Sequence, residues 1–168
     1  VFKIMPAEKK QDVVITQEDI ATPQEMIRTL VKEVIAEKAT EDIKIEDAEV
    51  IIAIGRGVKE QEQTAMFAEL AEMLGGALAV TRPLVDKEWY TAKCQIGQSG
   101  KMVSPKLYIG CGISGAVQHT AGMCSSDVIV AINTDASAPI FGVADYAVVG
   151  DMFEVVPALI DELKKIRQ

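Results

Sequence analysis

Short apolar runs alternate along the chain with amphipathic segments, and most junctions between them carry glycine. The runs are too short for buried helices and are rich in β-branched side chains, so they predict strands of a buried parallel sheet. The predicted strands cover residues 49–54, 77–80, 107–109, 128–132 and 146–149.

The segments between these strands place apolar residues at helical spacing. They predict helices over residues 23–38 and 61–74, a short helix that opens at Ile113, and a last helix over 152–166. Residues 81–105 show no such period and are rich in polar residues and glycine, so we predict an irregular functional loop there. Strands alternating with helices predict an α/β fold: a doubly wound, mostly parallel, Rossmann-like sheet with helices on both faces.

The length of 168 residues corresponds to about one domain. The sequence opens without Met on what reads as the end of a strand, and residues 7–22 are polar without a clear period. We therefore expect residues 1–22 to be a strand remnant of a preceding domain and a linker, and residues 23–168 to form one domain. The chain is then expected to be a piece of a longer one.

The charge balance excludes some partners. Lys and Arg number 17 against 25 Asp and Glu, a net charge of −8, whereas a nucleic-acid partner requires a basic face. Three cysteines without a C-x-x-C motif and a single histidine disfavour disulfides and a metal site, and they indicate the reducing cytoplasm. The sequence predicts no membrane span, because no apolar run reaches the ~18 residues that a span needs. The start, Val1-Phe2-Lys3-Ile4-Met5-Pro6, does not read as a signal peptide.

Ligands of doubly wound sheets bind beyond the carboxyl ends of the strands, so the strand-exit loops are the places to search. These loops cover residues 55–57, 81–83, 110–115, 133–135 and 150–151. Residues 110–115 match G-x-G-x-x-G between a strand and a helix, and Asp135 lies 20 residues beyond Gly115. This pattern favours a phosphate or pyrophosphate site, with tight strand–helix packing as the alternative, and it does not choose between NAD and FAD.

Several polar residues near these loops have two interpretations each. Arg82 either pairs with a developing anion or is a solvated surface residue, and His119 either serves a ligand or is a hydrogen-bonded core or surface residue. Residues 97–100 form either a simple turn or a polar contact for a ligand edge. Asp151 is expected to cap the last helix, and Cys111 to be a small packing residue. No nucleophile–base pair is spaced for hydrolysis, and no P-loop lysine is present.

Taken together, the loops resemble the FAD-binding domain of the electron transfer flavoprotein alpha subunit, over residues 49–166. The segments that carry the resemblance are Ile54-Gly55-Arg56-Gly57, Thr81-Arg82-Pro83, Gln95-Ile96-Gly97-Gln98-Ser99-Gly100-Lys101, Pro105-Lys106-Leu107-Tyr108-Ile109, Gly112-Ile113-Ser114-Gly115-Ala116-Val117-Gln118-His119, Ala131-Ile132-Asn133, Ala138-Pro139-Ile140-Phe141 and Ala144-Asp145-Tyr146. Thr81-Arg82-Pro83-Leu84 with Trp89 is more similar to the branch of nitrogen-fixation-linked and electron-bifurcating proteins.

The resemblance implies a bound FAD and a set of residues that hold it. Implied cofactor contacts are Arg56, Thr81, Arg82, Ile96, Gly97, Gln98, Ser99, Ser114, Gly115, Ala116, Val117, Gln118, His119, Asn133, Asp151 and Met152. Arg82, Ser99 and His119 are implied to tune the flavin potential, Ser99 toward N5 and His119 near the pyrimidine edge. Ser99 replaces the more frequent Thr, and Thr134 stands where Lys is usual.

The function that the resemblance implies is electron carriage, not classical enzyme catalysis. The domain would pass electrons between flavin dehydrogenases and a downstream acceptor, in a heterodimer with the beta subunit, and would bifurcate electrons only with that partner. The residues alone leave two alternatives: an NAD(P)-binding domain of a dehydrogenase, and a flavin-free subunit that serves assembly.

Overall fold

A computed structural model describes residues 44–166, and within them five strands form a single parallel sheet. The strands are Val50–Ile54 (β1), Ala77–Val80 (β2), Leu107–Cys111 (β3), Val128–Asn133 (β4) and Tyr146–Val149 (β5), in the order β2-β1-β3-β4-β5. The predicted doubly wound α/β fold is confirmed. The helix predicted over 23–38, and the remnant and linker predicted over 1–22, lie outside the described residues.

The helices differ from the sequence prediction at three places. They are Ala65–Met73 (α1), Arg82–Asp86 (α2), Val117–Thr120 (α3) and Met152–Ile166 (α4), with 3₁₀ turns at Gln61–Thr64, Ala92–Cys94 and Pro139–Gly142. The helix predicted over 61–74 thus begins with a 3₁₀ turn. The stretch 81–105 is not wholly irregular, because an extended Thr81 precedes α2 and a proline lies in its first turn.

The short helix after β3 begins at Val117, not at Ile113 as predicted. Gly112 and Gly115 both have positive φ, 62° and 86°, which is incompatible with a right-handed helix. The chain between them therefore runs as an irregular exit loop, and α3 can start only after it.

The core has two layers because side chains alternate between the faces of each strand. On one face, Ile52 and Ile54 belong to a cluster with Phe67 of α1 and Val156 of α4. On the other face, Ile51, Ala53 and Tyr108 pack with side chains from the connecting loops. Within residues 44–166 no helix is long and apolar enough to cross a membrane.

The direction of the chain reverses at the centre of the sheet. From β1 the chain goes to β2 on one side, and then it returns to β3 on the other side of β1. The loops that leave β1 and β3 pack backbone to backbone: Gly55 N donates to Cys111 O (3.0 Å) and Gly57 N donates to Gly112 O (3.1 Å). Because the following segments diverge, a crevice opens beyond these loops.

Candidate functional site

A cavity of about 850 Å³ occupies this crevice, a size typical of small-molecule sites. Its wall comes from the exits of β1, β2, β3 and β4 and from the turn that follows the 3₁₀ segment Ala92–Cys94. A second cavity of about 440 Å³ shares Gly57, Gly112 and Asn133 with the first. The two cavities therefore adjoin at the switch point.

The structure brings most of the residues implied by the resemblance to this site. The first cavity is lined by Arg56, Thr81, Arg82, Ile96, Gly97, Gln98, Ser99, Ser114, Ala116, Gln118, His119 and Asn133. Asp151 and Met152 line the second, again with Asn133.

Gly115 and Val117 line neither cavity. Gly115 has positive φ, and an added Cβ would overlap the backbone nitrogen of Ile140, so packing already accounts for this glycine. The Val117 side chain is 77% exposed at the start of α3.

Other lining residues were not predicted as contacts. They include Gly55, Gly57, Pro83, Gln95, Gly112, Ile113, Asp135, Ala138 and Pro139 in the first cavity, and Lys59, Gln63, Thr134, Gly150 and Phe153 in the second. Most of these residues lie in the strand-exit loops or in the segments that carry the family resemblance, so the sequence did indicate that they lie near the site. Lys59, Gln63 and Phe153 carry no comparable signal. They lie in the loop after β1, in the 3₁₀ turn Gln61–Thr64 and in α4, and only the folded structure brings them together.

Residues 95–101 form a rigid turn that continues the sheet past β2. Ile96 N donates to Val80 O (3.0 Å), and Lys101 N donates to Gln95 O (2.7 Å). Gly97 has φ 135°, and an added Cβ would lie 2.8 Å from Gln118 O, so the turn and α3 are in close contact. The turn therefore presents its polar groups from a fixed position.

His119 is buried in the cavity wall, and both of its ring nitrogens have partners. Nδ1 lies 3.2 Å from Ile96 O, and Nε2 lies 2.8 Å from the Tyr108 hydroxyl. A carbonyl oxygen can only accept, so Nδ1 carries the proton, and the Tyr108 hydroxyl donates to Nε2. Burial lowers the pKa of His119, partly offset by the Ile96 carbonyl, and burial raises the pKa of Tyr108 well above its usual value. His119 is therefore a neutral imidazole at neutral pH.

Arg82 supplies a cation at the rim of the first cavity. Its side chain is 66% exposed, and its Nε lies 3.6 Å from Asp86 Oδ1, one turn along α2. An exposed ion pair of this length is weak, because water screens it and two flexible side chains must be held. The guanidinium can therefore leave Asp86 for an anionic or aromatic ligand.

The glycine loop after β3 has structural reasons for its glycines. Gly110 lies within β3, where an added Cβ would be 3.0 Å from the Tyr108 ring. Gly112 has positive φ and contacts Gly57 and Met152. With α3 only four residues long, its dipole is small. Packing and close backbone approach thus account for these glycines, and phosphate binding by the loop stays a prediction.

Two acidic residues near the site have defined local bonds. Asp135 Oδ1 accepts from Ser137 N (2.9 Å) and Ser137 Oγ (2.6 Å), and these bonds lower the pKa of Asp135. Asp151 Oδ1 accepts from Phe153 N (2.9 Å) at the start of α4, as expected of a cap. Burial raises the pKa of Cys111 to about 12, in agreement with a packing role.

One buried polar atom points to a ligand. Among the described residues, Thr81 Oγ1 is the buried side-chain oxygen or nitrogen without a hydrogen-bond partner, and Thr81 lines the first cavity. An unsatisfied buried hydroxyl costs about 1–3 kcal/mol, and because this oxygen has no accessible surface, a ligand atom would recover that cost only after the Thr81 side chain turns toward the cavity. The first cavity thus offers a ligand a cation at its rim and the polar groups of a fixed turn. No group of His, Cys, Asp or Glu within residues 44–166 is arranged to hold a metal ion.

The fold and the site define a doubly wound domain with a ligand cavity at its topological switch point. Residues 44–124 match the family model described as the electron transfer flavoprotein FAD-binding domain. The chain belongs to the electron transfer flavoprotein alpha-subunit family, which confirms the resemblance.

Three relatives illustrate the similarity. The chain is 50% identical over 140 residues to the electron transfer flavoprotein subunit alpha of Bacillus subtilis. The aligned residues make up 83% of this chain and 43% of the relative. It is 46% identical over 158 residues to Protein FixB of Clostridium saccharobutylicum, an alignment that covers 94% of this chain and 45% of the relative. It is 50% identical over 129 residues to the mitochondrial electron transfer flavoprotein subunit alpha of Arabidopsis thaliana, an alignment that covers 75% of this chain and 36% of the relative. The chain thus spans less than half the length of these relatives.

Proposed function

We propose that this chain carries the FAD-binding, electron-carrying part of an electron transfer flavoprotein. The observation that carries the proposal is the pair of adjoining cavities at the switch point, which most of the implied cofactor contacts line. Electrons would pass between flavin dehydrogenases and a downstream acceptor, with the beta subunit as heterodimer partner. Bifurcation would require that partner. The three unpaired cysteines support the cytoplasm as its compartment.

The two cavities suggest how the two halves of FAD are divided between them. Asn133, Asp151 and Met152 would hold the adenosine half, because they line the second cavity. The flavin half and the chain that links the halves would be held by Arg56, residues 96–99, Ser114, Ala116, Gln118 and His119, which line the first cavity. When bound, FAD stores and releases electrons, and the protein supplies orientation and electrostatics.

Arg82 and His119 would influence the potential in different ways. Arg82 would stabilise the negative charge of a reduced ring, because its cation is free to turn from Asp86 toward the cavity. His119 would present a neutral ring whose nitrogens already bond to Ile96 and Tyr108. We therefore assign electrostatic stabilisation mainly to Arg82 and steric shaping of the cavity to His119.

A nicotinamide-binding domain of a dehydrogenase is the second candidate, because residues 110–115 match the dinucleotide fingerprint. Two contacts weigh against it. Gly110 lies in a strand next to the Tyr108 ring, and Asp135 uses one carboxylate oxygen to fold its own turn. The third candidate, a flavin-free assembly subunit, is disfavoured because the cavity retains Thr81, Arg82, Ser99 and His119.

The test is to purify the chain, record its absorbance, and extract and identify any bound nucleotide. The colourless form is then titrated with FAD and, in parallel, with NADH. We expect a flavin spectrum and FAD binding. A protein that binds NADH but not FAD would overturn the proposal, and one that binds neither would favour the assembly role.

A further inference from the structure

Gln95 is a buried polar residue in the wall of the first cavity, with 5% of its surface exposed. It directly follows the 3₁₀ turn Ala92–Cys94, and its backbone bridges Val80 at the end of β2. The backbone of Gln95 is therefore held by the sheet, and its side chain starts from a fixed Cα position beside the cavity.

The side chain of Gln95 bonds to Ser99, four residues along the same turn. Gln95 Nε2 donates to Ser99 Oγ at 2.9 Å. The turn itself is closed by Gly100 N, which donates to Gly97 O at 2.9 Å, and by Lys101 N, which donates to Gln95 O at 2.7 Å. These backbone hydrogen bonds thus set the distance between the side-chain amide of Gln95 and the hydroxyl of Ser99.

This bond determines what the Ser99 hydroxyl can offer. A hydroxyl has one hydrogen to donate and two lone pairs that accept. One lone pair is taken by Gln95, and among the hydrogen bonds within residues 44–166 there is none in which Ser99 Oγ donates. Ser99 is exposed and lines the cavity, so its hydrogen is available to a group placed there.

We propose that Gln95 is a positioning residue that makes Ser99 a hydrogen-bond donor toward the cavity, so that the site selects a ligand atom that accepts. The choice of FAD as the probe rests on the proposed function. The oxidised flavin ring presents nitrogens and carbonyl oxygens that accept, whereas two-electron reduction with protonation turns N5 into a donor. The resemblance implies that Ser99 faces N5, and a donor fixed there favours oxidised flavin.

The experiment is a double-mutant cycle on the full chain with oxidised FAD, measured by fluorescence quenching. We expect Gln95→Met and Ser99→Ala each to raise the Kd about twofold to tenfold, the usual contribution of one hydrogen bond. The double variant should be no weaker than Ser99→Ala alone. Gln61→Met, the same substitution at an exposed residue outside both cavities, should leave the Kd unchanged.

The reduction potential of bound FAD gives the direction of the bond. If Gln95 holds Ser99 as a donor, Gln95→Met weakens binding of oxidised FAD more than reduced FAD, and the potential rises. A twofold to tenfold change in the ratio of the two Kd values corresponds to about 9–30 mV for a two-electron couple. Gln95→Asn, which keeps an amide too short to reach Ser99, should give the same rise and replaces Gln95→Met should that variant fail to fold.

The outcomes separate the inference from the proposed function. An unmodified chain that binds no FAD refutes both. A chain that binds FAD, but in which the two Kd effects multiply or the potential falls, overturns the role of Gln95 alone.

Discussion

The hydroxyl of Tyr108 is completely buried, and its hydrogen bond to His119 Nε2 is 2.8 Å long. Tyr108→Phe removes this oxygen and leaves a buried ring nitrogen without its donor. The loss of a partner to a buried polar group costs about 1–3 kcal/mol, a large fraction of the stability of a typical domain. We expect the free energy of unfolding to fall by that amount.

Urea unfolding followed by circular dichroism measures this change. Tyr146→Phe is the matched control, because Tyr146 is 64% exposed on β5 and its hydroxyl can bond to water. We expect the control to stay within about 0.5 kcal/mol of the unmodified chain, as surface substitutions usually do. Equal effects of the two substitutions would refute the assignment of a structural hydrogen bond between Tyr108 and His119.

Three further predictions concern pH, backbone strain and the flavin. Burial lowers the pKa of His119, so below pH 6.5, about the usual pKa of histidine, the unfolded chain binds a proton that the folded chain does not. The contribution of this histidine to the free energy of unfolding should therefore decline as the pH falls through this window. Urea titrations should show that His119→Gln removes the decline. Gly115→Ala should lower the free energy of unfolding by about 1–3 kcal/mol or more, because φ is 86° and the new Cβ would overlap the Ile140 nitrogen. The control Gly142→Ala has open space around it and should lower the free energy of unfolding by less than about 1 kcal/mol. Equal losses of stability in thermal unfolding would contradict this reasoning. Arg82→Ala should lower the potential of bound FAD in a redox titration while most FAD stays bound, and an unchanged potential would remove Arg82 from this role.

The strands could be predicted from sequence because each is a short apolar run bounded by turn residues, although β5, unlike the central strands, is largely exposed. The predictions for residues 77–80 and 146–149 coincide with β2 and β5, and the helix predicted over 152–166 coincides with α4. The later start of the helix after β3 could not be predicted from periodicity. It depends on the positive φ of Gly112 and Gly115, which arises from packing against Gly57 and Ile140.

The candidate site was predictable to the extent that it lies in strand-exit loops. Arg56, Arg82 and Ser114 follow β1, β2 and β3, and parallel strands bring these exits to one edge. The bonding state of His119 was not predictable, because it depends on a tyrosine from the middle of β3 and a carbonyl from another loop. Sequence alone cannot show that both nitrogens of a lone histidine are occupied.

The burial of Cys111 makes this thiol a natural reporter of local opening. Cys111 ends β3 under the loops that form the cavity floor, with no exposed surface and a pKa of about 12, whereas Cys124 is exposed. Alkylating reagents attack the thiolate, so Cys124 should react first and Cys111 only when the central strands separate. Cys94 is also free and partly exposed, so both it and Cys124 must be replaced by Ser before Cys111 is the remaining thiol. In that double variant, the slow labelling of Cys111 would time these openings, and a ligand that bridges the β1 and β3 exits would slow the reaction further.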